Sequence, residues 1–329
     1  MRVVVTDHAF AALDHERRAA DALGAEFEEF DAKTEQAAIA AVQGADVAFV
    51  NFAPVSAAVL AAMNEGATVI RYGIGFDNVD LEAADQLGIS VCNVPDYGGD
   101  TVADHAVTLA LTLLRKIVSF DQILAAGRWV SATELAPVLA CGSTTAGLLG
   151  TGRIGLAVAK RLAPFGFEII AHDPFADPAV LSESGIEPVG MDELFTRSRV
   201  LSLHAPATPE THRIVNAANL AKMPAGSFLI NTSRGALVDE DAVLEALSSG
   251  QLAGVGLDVF DPEPLAADHG LRSHPHAILT PHAAFYSEQS VENLQRLAAE
   301  EAGRAGRGEP LRCRVNSPGK TTSTLRTRR

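Results

Sequence analysis

The chain has 329 residues, 47% of them hydrophobic and only 5% aromatic, with 41 acids against 26 bases for a formal charge of −15. A length beyond about 250–300 residues exceeds what one core usually fills, so two domains are expected, and the acidic balance argues against nucleic acid as a partner because it repels phosphate backbones. The most apolar stretch, Ala103 to Ile117, is broken by Asp104, His105, Arg115 and Lys116 and falls far short of a membrane span, so no membrane partner is expected.

An apolar strand, Arg2 to Thr6, opens the chain without the basic start and cleavage site of a leader, which makes the cytoplasm the expected compartment. Strands are predicted at Glu26 to Phe30, Val47 to Asn51, Thr68 to Tyr72 and Ile89 to Cys92. Helical segments fall between them near Asp14 to Leu23, Thr34 to Val42, Ser56 to Met63 and Leu81 to Leu87, which makes a first doubly wound unit. A long helical stretch from about Thr101 to Ala126 then leads into a second unit, with Trp129 to Ser143 as an interruption. Strands follow near Thr145 to Leu149, Glu168 to His172, Val200 to Leu203, Phe228 to Asn231, Gly254 to Leu257 and Ala277 to Leu279. Ser290 to Glu300 is helical, and the polar, basic segment 317–329 is expected to be disordered.

The second unit opens on Gly150-Thr151-Gly152-Arg153-Ile154-Gly155, the G-x-G-x-x-G pattern between a buried strand and a helix. Gly150 permits the tight turn, Gly152 lets a pyrophosphate approach the backbone, and Gly155 allows close packing of helix on strand. Glycine-rich turns alone are weak evidence. Here the next strand ends in Asp173, 18 residues beyond Gly155, where an acid bonds a ribose 2′-hydroxyl and repels a 2′-phosphate. NAD is therefore the expected cofactor, with Arg161 and His172 as the nearby cations that argue for NADP.

Further along stand Arg234 in Asn-Thr-Ser-Arg-Gly, Glu263 in Phe-Asp-Pro-Glu-Pro and His282 in Thr-Pro-His. A cation to hold a carboxylate, a histidine to move a proton and an acid to orient it are what reduction of a 2-keto acid needs once hydride is supplied. Taken singly, each has an ordinary reading as a solvated loop residue; together and in order they form a candidate catalytic set. Other chemistries lack support. His269, His274 and His276 lie near a proline with no metal-ligand spacing, so no metal is expected, and no G-x-S-x-G elbow accompanies any serine. Cys92, Cys141 and Cys313 are far apart and odd in number, as for reduced thiols.

Together with these motifs, Arg71-Tyr72-Gly73-Ile74-Gly75-Phe76-Asp77-Asn78-Val79-Asp80, Val91-Cys92-Asn93-Val94-Pro95 and Pro281 to Gln289 resemble the D-isomer-specific 2-hydroxyacid dehydrogenases over most of the chain. Within that family the sequence looks most similar to the C-terminal binding protein branch. The resemblance implies that Arg234 grips the substrate carboxylate and carbonyl, that His282 gives a proton to the carbonyl oxygen, and that Glu263 orients the imidazole. It also implies cofactor contacts from Val102, Arg153, Ile154, Ala205, Thr232, Ser233 and Asp258, and substrate contacts from Arg71, Ile74, Gly75 and Phe285. The glutamate at 263 sets the chain apart from formate dehydrogenases of the superfamily, which carry glutamine there; phosphite dehydrogenases share all three residue types.

The architecture so implied is α/β, two doubly wound parallel-sheet (Rossmann-like) domains with an interdomain cleft. A discontinuous substrate domain takes 1–100 and 286–316, and an NAD-binding domain takes 101–285. The expected partners are a small 2-keto or 2-hydroxy acid and, as is usual in the family, a second copy of the chain, for which the apolar helix from Thr101 is a candidate contact. Two further readings stand beside the dehydrogenase. One is an NAD(H)-sensing corepressor-like interaction protein, since the branch includes such proteins. The other is a short D-3-phosphoglycerate dehydrogenase, since no regulatory domain would fit after the return helix.

Overall fold

The computed structural model describes residues 1–318, and the basic tail beyond them lies outside the described residues. The chain divides into two compact units, Met1–Gly98 with Ser287 onward, and Gly99–Tyr286.

In the first unit, β1 (Arg2–Val5), β2 (Glu26–Glu29), β3 (Val47–Val50), β4 (Thr68–Arg71) and β5 (Ser90–Cys92) alternate with α1 (Asp14–Ala22), α2 (Glu35–Val42), α3 (Ala57–Ala61) and α4 (Leu81–Leu87). All strand pairs are parallel, in the order β2-β1-β3-β4-β5. The central strand β3 is buried at all of its positions, the continuous apolar reading expected of a parallel strand covered on both faces. Thr34, Ser56 and Asp80 each accept a peptide N–H of the first turn that follows, and these caps fix where α2, α3 and α4 begin.

The second unit begins with α5 (Gly99–Leu114), whose buried residues Val102, Ala103, Ala106, Val107, Leu109, Ala110, Leu113 and Leu114 recur at helical spacing. The continuous helix expected to Ala126 does not form. Lys116 takes a left-handed conformation (φ 53°), and α6 (Ile117–Ala125) starts afresh with no buried residue. The apolar stripe that would have kept one helix against the core ends at Leu114, and Arg115-Lys116 supply no substitute.

The remaining elements are β6 (Thr145–Leu149), α7 (Arg153–Leu162), β7 (Glu168–His172), α8 (Pro178–Glu183), β8 (Glu187–Pro188), α9 (Met191–Arg197), β9 (Val200–Leu203), α10 (Ala217–Leu220), β10 (Ser227–Asn231), α11 (Glu240–Ser249), β11 (Leu252–Leu257) and β12 (Ala277–Leu279). They build a seven-stranded sheet ordered β12-β11-β10-β9-β6-β7-β8, parallel throughout. Strand order reverses between β6 and β9, so the ends of these two strands form the switch point at which such sheets bind ligands. The short β8 has no periodicity by which the sequence could reveal it, and its proline is tolerated at the sheet edge. Helix α5 lies close over β11 because Gly254 and Gly256 leave room, with Leu113 and Leu109 standing where their Cβ atoms would be.

The last helix, α12 (Glu288–Gly306), starts at a capping box of Ser287 and Ser290 and packs against α1 in the first unit. Gln295 Nε2 donates to the Ala12 carbonyl at 2.7 Å, and Tyr72 donates to the buried carboxylate of Glu16 at 2.9 Å.

Candidate active site

The glycine loop sits at the switch point. Gly150 follows β6 with φ 92°, a region that favours glycine, and a Cβ there would meet the backbone of His204 and Ala205 at 2.9 Å. At Gly155 a Cβ would run into the Gly150 carbonyl oxygen, so α7 can approach the turn only as glycine allows. Gly152, by contrast, is the N-cap of α7 and faces open space, with no atom within 4 Å of an added Cβ. No side chain caps this helix N-terminus, so the peptide N–H groups of its first turn remain directed at whatever occupies that space.

Asp173, just after β7, accepts the Thr151 peptide N–H at 2.7 Å, the Thr151 hydroxyl at 3.0 Å and the Phe175 peptide N–H at 2.9 Å. Burial alone raises this carboxyl, but these three donors outweigh it and hold Asp173 below the usual carboxylate range. The acid thus braces the tip of the glycine loop. Arg161 does not compete there: its guanidinium pairs with Asp104 at 2.5 Å and with Asp100 at 2.9 Å on α5. His172 Nδ1 lies 3.0 Å from the Val189 carbonyl oxygen.

Two buried polar atoms near this loop have no partner among the described residues, Thr232 Oγ1 and His204 Nδ1. Burial pushes the His204 imidazole down to about 4, so it is neutral at physiological pH. Orphaned buried polar atoms are costly unless a ligand completes them. With the uncapped helix end and the open space at Gly152, they fit a bound dinucleotide. Val102 and Ala205 are buried, and the Ser233 hydroxyl donates to the Ala205 carbonyl at 2.7 Å, joining the loops after β9 and β10.

Arg234 follows β10. The side chain of buried Asn231 accepts the Ser233 N–H at 3.0 Å and donates to the Arg234 carbonyl at 2.8 Å, an Asx turn that sets the arginine's backbone. Gly235 packs against the backbone of Phe260 and Asp261, so the arginine loop and the loop that carries Glu263 are pressed together. Glu263 Oε1 accepts the Phe260 N–H at 3.0 Å, and Oε2 is 2.7 Å from His282 Nδ1. Burial raises the Glu263 carboxyl, yet the bond from His282, its charge, the Phe260 N–H and the charge of Arg234 together hold it below the usual range.

His282 itself is left-handed, φ 52°. Asp258, 1% exposed at the end of β11, holds it there: its carbonyl accepts the His282 N–H at 2.7 Å, and its carboxylate accepts Ala283 N at 2.8 Å and Ala284 N at 2.9 Å. Phe285 lies edge-on to His282 with ring centroids 6.4 Å apart. The structure therefore brings Arg234, Glu263 and His282 together, with Phe285 beside them, all in the second unit. Arg71, Ile74 and Gly75 belong to the first unit. Arg71 ends β4, and Ile74 and Gly75 lie in the loop after it, where Asn93 Nδ2 donates to the Ile74 carbonyl at 2.6 Å and the Arg71 guanidinium folds against Gly73. Sequence reading missed Asn231 and the bracing role of Asp258. The Asx-turn preference of an asparagine before Thr-Ser was a usable signal for the first; nothing local signalled the second.

An uncapped helix end on a doubly wound sheet, beside an Arg–Glu–His set, defines a dinucleotide-dependent oxidoreductase. The NAD binding domain of the D-isomer specific 2-hydroxyacid dehydrogenases matches residues 107–284. A glyoxylate reductase of Korarchaeum cryptofilum is 36% identical over 260 residues, 78% of each chain. A D-3-phosphoglycerate dehydrogenase of Mycobacterium leprae is 38% identical over 85% of this chain but only 53% of its own length, so the present chain spans about half of that relative. Among solved structures, the D-lactate dehydrogenase of Aquifex aeolicus complexed with NAD and lactic acid superposes with a TM-score of 0.84 at 27% identity, over 93% of this chain and 96% of that one. The chain belongs to the D-isomer specific 2-hydroxyacid dehydrogenase family and is an NAD-dependent oxidoreductase acting on the CH–OH group of its donors. Among the described residues no helix is long and apolar enough to cross a membrane.

Proposed function

We propose that this enzyme interconverts small 2-keto acids and D-2-hydroxy acids with Arg234, Glu263 and His282 as its catalytic residues. The observation that carries the reading is the 2.7 Å contact of His282 Nδ1 with Glu263, which leaves Nε2 as the proton-carrying atom. NAD(H), when bound, supplies or accepts the hydride at the substrate's C2. Arg234 pairs with the carboxylate through its fork of donors and polarises the carbonyl. His282 Nε2 delivers a proton to the carbonyl oxygen in reduction and takes it back in oxidation, while Glu263 offsets the charge on the imidazolium. Gly150, Gly152, Arg153, Ile154 and Gly155 hold the pyrophosphate, Asp173 the ribose, and Val102, Ala205, Thr232, Ser233 and Asp258 the rest of the cofactor. Phe285 walls the substrate's side chain; Arg71, Ile74 and Gly75 join the same assignment through the resemblance of their motif.

NADH oxidation measured with glyoxylate, hydroxypyruvate, pyruvate, longer 2-keto acids and phosphohydroxypyruvate tests the substrate class. His282→Gln should lower kcat by about 10²–10⁴ while NADH binding stays near normal. Wild-type turnover in that variant would move the proton donor elsewhere. A preference for phosphohydroxypyruvate would favour the second reading, phosphoglycerate oxidation, which the 38% identity to such an enzyme supports.

The functional particle in this reading is a homodimer. Helix α6 buries none of its residues, Ile117 and Leu124 are 56% and 51% exposed, and Trp129 beyond it is 91% exposed. Such an apolar arm is costly in water unless covered. Sedimentation of wild type against Trp129→Ser with Leu124→Lys tests it, a monomeric wild type counting against the assignment. The reading places the enzyme in the cytoplasm, where three cysteines, odd in number and joined by no disulfide, suit a reducing compartment.

A further inference from the structure

Asp258 has more partners than a cofactor contact requires. Both of its carboxylate oxygens are taken by the peptide groups after His282, and the Thr280 hydroxyl also donates to Oδ1. On the far side of Thr280, His105 Nε2 stands 3.0 Å from the same hydroxyl and 3.9 Å from Asp258 Oδ1. His105 comes from α5, and Thr280 from the end of β12, 175 residues away in sequence. Since Asp258 acts as acceptor throughout, Thr280 spends its single hydroxyl proton on it. The hydroxyl oxygen is then left to accept, which makes His105 Nε2 a donor. The result is an ordered chain from the His105 N–H through Thr280 to the Asp258 carboxylate, and from there to the backbone of residues 282–284.

We propose that His105 and Thr280 are positioning residues for proton transfer, acting through Asp258 on the backbone of His282. This rests on the reading of His282 as the proton donor. A left-handed histidine needs surroundings that fix it, and Asp258 accepts three peptide N–H groups that do so, one at its backbone carbonyl and two at its carboxylate. The two peptide donors on this carboxylate belong to the segment that it orders, so they move with it and cannot by themselves anchor it. The Thr280 hydroxyl, oriented by His105, is the donor from outside that segment; it pins Oδ1 and so fixes which way the peptide that follows His282 faces. A general acid misplaced by about an ångström loses much of its effect, so small changes at the far end of the chain are felt at Nε2.

Thr280→Val and His105→Leu remove the two links, whereas Thr280→Ser and His105→Gln keep a hydroxyl and an N–H donor. With the 2-keto acid that the wild type turns over best, the first pair should lose about tenfold in kcat while KM and the NADH Kd change less than about twofold. The second pair should stay within about threefold of wild type. Amide hydrogen exchange at Ala283 and Ala284, read without substrate, should speed up in Thr280→Val and not in Thr280→Ser. Unchanged kcat in both Thr280→Val and His105→Leu would overturn the inference. So would a loss confined to NADH affinity, or equal losses in the conservative pair. If the wild type reduces no 2-keto acid, the proposed function fails on its own, and the exchange measurement still decides this inference: unaltered exchange in Thr280→Val overturns it.

Discussion

Gly235 offers a test of whether the arginine and the acid–base pair work as one geometry. Its backbone is not in the left-handed region, so alanine brings no conformational strain, only a methyl group. That methyl would meet the Asp261 peptide nitrogen at 2.6 Å, with the Phe260 carbonyl group closer still, and every one of these atoms is backbone. Restoring an ordinary separation of about 3.5 Å requires the Arg234 loop and the Glu263 loop to part by at least about 0.9 Å. Overpacking of this kind costs roughly 1–3 kcal/mol in stability. Its effect on rate is larger, because displacement by about 1 Å can cost on the order of 100-fold. Gly235→Ala should therefore lower kcat/KM for the keto acid by about 10- to 100-fold, with NADH affinity falling less than kcat/KM because the glycine loop is untouched and only Thr232 and Ser233 lie in the displaced segment. The control is Gly152→Ala, where an added Cβ meets nothing within 4 Å. It should keep the wild-type Tm and instead weaken NADH. Steady-state kinetics, NADH titration and thermal melts on the two variants give the answer. Wild-type kcat/KM in Gly235→Ala would refute the argument, and equal effects of the two variants on NADH would show that they do not report on separate parts of the site.

Three other outcomes are expected. Asp173→Ala should raise KM for NADH and narrow the gap to NADPH, and because Asp173 also braces Thr151, some loss of NADPH activity should accompany the relaxed preference; equal kcat/KM for both cofactors in the wild type would contradict the assignment. Phe285→Ala should shift preference toward bulkier 2-keto acids by about tenfold, which is about 1.4 kcal/mol of discrimination, and an unchanged substrate ranking would place Phe285 outside the pocket. Glu16, whose carboxyl burial raises, costs stability when ionised; that cost is relieved as pH falls through its raised value, so Glu16→Gln should gain about 2–4 °C in Tm at pH 8 and less at pH 5. A gain that is the same at both pH values would mean that the charge is not the cause.

Legibility of the sequence followed the range of the interactions. Strands β6, β7 and β9 lie where their apolar runs predict them, because a parallel strand buried on both faces is apolar along most of its length. The break at Lys116 was not legible, since a left-handed residue between two helix-forming stretches depends on what each stretch packs against rather than on its own composition. The glycine loop and Asp173 could be read because their spacing is local. That Asp173 also holds Thr151, or that His105 reaches Thr280, could not be read, because the partners are far apart in sequence and joined only by the order of strands in the sheet.

Glu263 shows how the site reconciles two conflicting demands. An acid that orients a histidine must be sheltered enough for its charge to be felt, yet shelter favours the neutral form, which would give that charge up. Half-burial pushes the carboxyl up, and the groups that reverse the shift are the site's own working parts: His282 foremost, then the Phe260 peptide N–H, then Arg234. Its lowered value means that the Glu263–His282 coupling is present above the ordinary carboxylate range and is lost only as pH falls through the lower folded value. Under the proposed function the arginine therefore has two effects, one on the substrate carboxylate and one on the ionisation of Glu263. The second persists without substrate, because it needs only the proximity that Gly235 permits between the two loops. A site whose other members keep its acid charged has a reason to be built within one compact unit, where the distances that sustain it are fixed by the strands that carry the residues.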